Sequence, residues 1–161
     1  PAPHALAQLK HLPWRLVIAG DRTRDIATVR EIERAVVRCG LADRIHLPGA
    51  VSSEELSALY AAADLFVLPS RFEGYGMAYA EALAHGLPVL ATNAGAIPDT
   101  VPAEAGILVP PDDVEALSSA LRRLIERSDQ RAVLAAAART VSFPSWSEQA
   151  AKFAQVLERV A

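Results

Sequence analysis

Glu73 and Glu81 are the residues of this chain best placed by type and spacing to do chemistry. They lie in SRFEGYGMAYAEALAHGLPVLAT, residues 70–92, separated by seven residues, with Gly74, Tyr75 and Gly76 directly after the first. The run Leu65-Phe66-Val67-Leu68 before this loop is short and apolar and stops at Pro69, which predicts a buried parallel strand, and an alanine-rich helical stretch opens near Gly76. The unpaired amides that open such a helix sit at the positive end of its dipole, so they bind phosphate oxygens, and Gly74 and Gly76 permit close approach because they carry no Cβ. Carboxylates repel phosphate but accept hydrogen bonds from vicinal hydroxyls. Two of them beside an anion cradle point to a ligand with polyol groups flanking a diphosphate.

The surrounding elements must hold that loop in place. Residues 14–20 (WRLVIAG) read as an apolar strand ending in a glycine turn, and residues 23–39 carry Ile26, Val29, Ile32, Ala35 and Val36 at helical spacing. Residues 45–47 form a short strand before Pro48-Gly49, and Ser52 with Glu55 supplies a capping-box pattern for a helix to about Ala62. Beyond the loop, residues 77–85 are helical with Gly86 as a C-terminal stop, and residues 88–92 and 106–109 are further strands. Asp112 or Asp113 caps a helix bearing Val114, Leu117, Leu121, Leu124 and Ile125, and another helix runs from about Asp129 to Arg139. Ser145 or Ser147 caps a last helix, beside Trp146 as a core anchor. Such alternation predicts an α/β fold, a doubly wound parallel sheet of about five strands covered on both faces. Ligands of such sheets bind at the carboxyl ends of strands, where three loops are expected to converge: Gly20-Asp21, Gly49-Ala50-Val51 and residues 73–77.

Composition narrows the field. A chain of 161 residues, 52% hydrophobic and 22% charged, is ordinary for one domain with a substantial core. A formal charge of −3 without a basic block offers no footprint for nucleic acid. The single Cys39, on an apolar helical face, reads as a buried small hydrophobe. His4, His11 and His46 lack metal-ligand spacing, so no metal is expected, and His85 before Gly86 reads as a helix cap rather than a base. The loop after Gly20 reads DRTRD and supplies no G-x-G-x-x-G, and no G-x-x-x-x-G-K-[ST] occurs, which argues against a dinucleotide dehydrogenase and a phosphate-binding NTPase. The chain opens at Pro1 without an initiator Met or a signal peptide, as an excised piece of a longer polypeptide would.

FEGYG, the second glutamate, HGLPVLAT, GILVP (residues 106–110) and FPSWSEQA (residues 143–150) together resemble the donor-binding C-terminal domain of the retaining glycosyltransferases of family four, group one. The resemblance runs from about Trp14 to the end, and its most specific part is the pair Glu73 and Glu81. It implies one Rossmann-like half of a GT-B fold. Residues 1–161 would be a single nucleotide-sugar-binding domain, with residues 1–13 a truncated leading helix and residues 147–161 a C-terminal helix returning toward an absent N-terminal domain. Carried over, Glu73 is the catalytic-site carboxylate on the hydroxyls of the transferred sugar, the amides of Gly74, Tyr75, Gly76 and Met77 engage sugar and diphosphate, and Glu81 holds the ribose diol. Ala50 and Val51 match the nucleobase loop, and Gly20 the glycine lining the cleft. NAGAIPD, residues 93–99, matches a segment usually ending in glutamate, where Asp99 stands here. The reaction implied is transfer from a UDP-, GDP- or ADP-sugar to an acceptor with retained anomeric configuration, with no further cofactor.

The resemblance also implies what is missing. The family has an earlier strand followed by an Arg and a Lys that neutralise the diphosphate, and Lys10 and Arg15 do not match those positions. That strand is central, between those resembling residues 15–19 and 65–68, so either these two pair directly or something fills the gap. The expected partners are a nucleotide sugar and the N-terminal acceptor domain, with self-association through an exposed C-terminal helix or the unfilled sheet position left open. The expected location is cytoplasmic, or peripheral at a membrane through the N-terminal domain. A non-catalytic nucleotide-sugar-binding or assembly module with this fold is the competing function.

Overall fold

A computed structural model of the chain describes residues 2–143 and 146–160. Its strands are β1 (Leu16–Ala19), β2 (Ile45–Gly49), β3 (Phe66–Leu68), β4 (Val89–Thr92) and β5 (Gly106–Val109). Interleaved with them are α1 (Ala2–Ala7), α2 (Ile26–Arg38), α3 (Ser53–Ala62), α4 (Met77–Ala84), α5 (Ile97–Thr100), α6 (Val114–Glu126), α7 (Ser128–Ala138) and α8 (Trp146–Val160). Every strand pair is parallel: β1 with β2, β3 with β4, and β4 with β5. The expected single sheet is divided. β1-β2 and β3-β4-β5 are separate sheets, so direct pairing of β1 with β3 does not occur among the described residues.

The period-two alternation of β4 shows how the two faces are covered. Leu90 joins a cluster with Leu6 and Leu9 of the leading segment, Val36 of α2, and Leu117, Leu121 and Leu124 of α6, while Val89 and Ala91 join one on the other face with Tyr79 and Leu83 of α4 and Ala138 of α7. All four β4 residues are buried. On β1, Leu16 and Ile18 pack against the first cluster but Val17 stays 43% exposed. An apolar β-branched residue left that open belongs to a strand covered on one face only.

Local chemistry accounts for most boundaries. The expected capping box is present at α3, where Ser52 accepts from the Glu55 amide and the Glu55 carboxylate accepts from the Ser52 amide. Asp113, not Asp112, caps α6; Asp112 instead takes a left-handed φ of 60° and pairs with Arg71. α2 starts at Ile26 rather than residue 23, because the Thr23 amide and hydroxyl both donate to Asp21 Oδ1 and leave Asp25 to cap the helix through the Thr28 amide. Cys39 is half-buried, not buried: it ends α2 as its C-cap and packs at the edge of the first cluster. The short α5, which begins in NAGAIPD and ends at Thr100, has no expected counterpart. Of the expectations around the last helix, Ser145 and the side chain of Trp146 lie outside the described residues, and Ser147 falls inside the first turn of α8 rather than at its cap.

Candidate functional site

α4 opens differently from the other long helices that follow strands. Asp25, Ser52 and Asp113 cap α2, α3 and α6 with side-chain oxygens, whereas α4 is preceded by Gly76 and has no side-chain cap. The Tyr79 and Ala80 amides turn back to the Gly76 carbonyl, so the amides at the very start of the helix are left without a side-chain acceptor, at the positive end of the helix dipole. Gly76 is required here by the chain itself, because its φ is +82° and a Cβ would stand 3.0 Å from the Tyr79 ring. Gly74 is different: a Cβ there meets nothing within 4 Å. Tyr75 and Met77 are exposed beside it, as is Phe72.

The loop is held by contacts the sequence reading missed. Ser70 Oγ donates to Glu73 Oε1 at 2.9 Å, fixing one oxygen of a half-buried carboxylate. Thr92, buried at the end of β4, donates its hydroxyl to the Ser70 carbonyl. The Tyr79 hydroxyl donates to the Leu68 carbonyl at 2.8 Å, and burial raises that phenol above its ordinary pKa, so it stays a donor. From the NAGAIPD segment and the residue after it, the Ala96 amide donates to the Glu73 carbonyl at 3.0 Å and Thr100 Oγ1 to the Tyr75 carbonyl at 2.8 Å. The available signals were a threonine ending an otherwise apolar strand and a serine three residues before a glutamate. Asp99 is an exposed residue in the first turn of α5. Glu81, one turn into α4, is exposed and accepts a hydrogen bond from the Tyr60 hydroxyl at 3.2 Å.

The other expected site residues gather at the carboxyl ends of the two-stranded sheet. The Gly20 amide donates to the Gly49 carbonyl at 2.9 Å, bringing Gly20 beside the loop that continues into Ala50 and Val51. Between Gly20, Asp21 and Arg22 and the apolar side chains of Ile18, Val29, Ile32 and Leu47 lies a cavity of about 170 Å³. That is below the roughly 300–1,000 Å³ usual for a ligand pocket. Glu73, Gly74, Tyr75, Gly76, Met77 and Glu81 belong instead to the loop and helix following β3 in the separate sheet. Cations on both sides are engaged: Arg22 with Glu33, and Arg71 Nε with Asp112 at 2.9 Å. The Arg71 guanidinium is pushed further up from its ordinary value by its hydrogen bond and charge pairing with Asp112, with a weaker contribution from Glu31 of α2. His85 caps the carboxyl end of α4, as expected, and its ring also stacks on Tyr60. Among the described residues no cluster of three or more His, Cys, Asp or Glu side chains is arranged to hold a metal ion.

With this geometry in view, the chain can be set beside known proteins. The profile of the family described as Glycosyl transferases group 1 matches residues 2–127. This chain belongs to that family. A relative, the MMP alpha-(1->4)-mannosyltransferase of Mycolicibacterium hassiacum, is 33% identical over 96% of this chain and 39% of its own length. The sucrose-phosphate synthase of Thermosynechococcus elongatus superposes with a TM-score of 0.86 at 32% identity, over 99% of this chain and 41% of the other. Anabaena HepE in complex with UDP-glucose superposes with a TM-score of 0.76 at 28% identity, over 85% of this chain and 38% of the other. This group 1 chain thus spans about two fifths of the length of these proteins. The α/β fold with parallel strands is that of glycosyltransferase domains.

Proposed function

We propose that this group 1 chain binds the nucleotide-sugar donor of a retaining glycosyltransferase, as a single domain whose counterpart supplies the acceptor surface. The observation that carries the reading is the uncapped start of α4 with a carboxylate on either side of it, Glu73 before and Glu81 after. Uncapped amides suit the diphosphate, and carboxylates suit the diols of the sugar and the ribose. Support comes from HepE, a structural neighbour solved with UDP-glucose.

In this reading the hard charge is the one that develops on the leaving diphosphate, and the amides of Gly74, Tyr75, Gly76 and Met77 stabilise it as the glycosidic bond breaks. A donor phosphate oxygen helps to take the acceptor proton on the same face, which retains the configuration. Glu73, steadied by Ser70, positions the sugar through its hydroxyls. Glu81 holds the ribose, while Gly20, Ala50 and Val51 line the nucleobase end. Because Arg22 and Arg71 are already paired with carboxylates, the cations for the diphosphate come from outside these residues.

Two features follow. Binding of UDP, GDP or ADP to this chain alone is weaker than micromolar and depends on Glu81, whereas binding of the corresponding nucleotide sugar depends on both carboxylates. Calorimetry with nucleotides and nucleotide sugars on the wild type and on Glu73→Ala and Glu81→Ala tests both points; micromolar binding unaffected by either substitution overturns the reading. An assembly role without donor chemistry is the outcome if no nucleotide binds even at millimolar concentration.

A further inference from the structure

Tyr60 is the one side chain of α3 that is buried, at 9% exposure, and it is packed toward the candidate site rather than toward a strand alone. Glu81 and His85 are four residues apart around α4, which puts them on one face of that helix. The Tyr60 ring lies along this face. It stacks on His85 with centroids 4.9 Å apart and planes 21° apart, and Phe66 of β3 stands 6.0 Å away on a tilted plane. With its ring clamped at the His85 end, the phenol reaches one turn toward the start of α4, and its hydroxyl donates to Glu81 Oε2 at 3.2 Å.

The geometry points to Tyr60 as the positioning residue of Glu81, the group that aims this carboxylate at the ribose diol of the donor. The inference rests on the ribose reading of Glu81 given above. A glutamate on an exposed helix face samples several rotamers, and a carboxylate has about four acceptor positions. One fixed hydrogen bond from below selects a rotamer and leaves the remaining lone pairs for two vicinal hydroxyls. Burial, the Glu81 charge and the hydrogen bond push the Tyr60 phenol up to about 12, so it remains a donor across any working pH. A hydroxyl here is otherwise unexplained: a phenylalanine would fill the same space between His85 and Phe66.

The test compares ribose preference rather than affinity alone. Ligand-observed saturation-transfer NMR at millimolar concentration gives Kd for UDP, GDP and ADP and for their 2′-deoxy counterparts, with wild type, Tyr60→Phe, Glu81→Gln and the double variant. Wild type is expected to prefer the ribonucleotide, Tyr60→Phe to narrow that preference about fivefold with an unchanged Tm, and Glu81→Gln to abolish it so that adding Tyr60→Phe changes nothing more. A merely structural tyrosine shifts Tm, or affects both nucleotide series equally. If Glu81→Gln abolishes the preference while Tyr60→Phe retains it, the Tyr60 proposal is wrong and the ribose reading stands. If wild type shows no preference, or binds none of the nucleotides, the ribose reading fails and the proposal with it. Should Tyr60→Phe not fold, His85→Ala, which frees the ring from an exposed cap position, is expected to narrow the preference too; an unchanged preference there overturns the proposal.

Discussion

Single residues around the glycine loop separate what the chain needs from what a ligand needs. Gly95 has a φ of +54°, and a Cβ there would come within 2.5 Å of the Glu73 carbonyl oxygen. Gly95→Ala is therefore expected to cost about 2 kcal/mol and to displace Glu73, which thermal melting and nucleotide-sugar titration would register together. A Cβ added at Gly74 meets nothing within 4 Å. Gly74→Ala is accordingly expected to leave Tm within about 2 °C while weakening nucleotide binding, because only a bound ligand occupies that space. Equal loss of stability in both variants would remove the argument. Ser70→Ala tests the hydrogen bond on Glu73: binding of the nucleotide sugar should fall about threefold relative to binding of the bare nucleotide, since the sugar is what Glu73 is read to touch. The glutamates and glycines were legible because the motif is contiguous. Ser70, Tyr60 and Thr100 were not, because nothing in a residue's type says which carboxylate or carbonyl its hydroxyl will meet.

At the scale of elements, α2, α3 and α6 start where a side-chain oxygen caps them, and α4 at the candidate site starts without one. Removing the α3 box by Ser52→Ala should cost about 1 kcal/mol in denaturant unfolding, with little effect on α4. The same caps make an acid prediction. Hydrogen bonds from the Ser52 amide to Glu55 and from the Thr28 amide to Asp25 lower both carboxyl pKa values below their ordinary 4.5 and 3.8. A depressed folded value means that the contribution is present above the unfolded pKa and lost as pH falls through the folded one. Tm should hold down to about pH 5 and decline below it, and Glu55→Gln should flatten part of that decline. The strand and helix positions were largely legible from periodicity and caps. The start of α2 was not, since Thr23 had an equally local alternative in Asp21. α8 keeps Phe153, Val156 and Leu157 at least half exposed, in keeping with the expectation of an apolar face left open on this helix.

The division of the sheet governs the whole molecule. The Leu16 and Gly20 amides donate to the Arg44 and Gly49 carbonyls, so alternation turns the Val17 and Ala19 amides toward the open edge of β1; the Phe66 amide donates to the Pro88 carbonyl, which turns that of Val67 toward the open edge of β3. Hydrogen exchange should find Val17, Ala19 and Val67 fast and Leu90 of the doubly paired β4 slowest. Slow exchange at Val17 and Ala19 would instead mean that a further strand pairs with β1. No helix among the described residues is long and apolar enough to cross a membrane. The sequence by itself determined the α/β alternation, the parallel strands, the capping box and the glutamate pair, since each depends on neighbours a few residues away and on residue type. Tertiary structure alone decided that β1 and β3 stay apart, that Thr92 anchors Ser70 across 22 positions, and that Tyr60 reaches Glu81 across 21. The physical reason is common to all three: strand edges and hydroxyls bond to whatever acceptor the packed core brings near, and that choice is made by burial over the whole chain rather than by local preference.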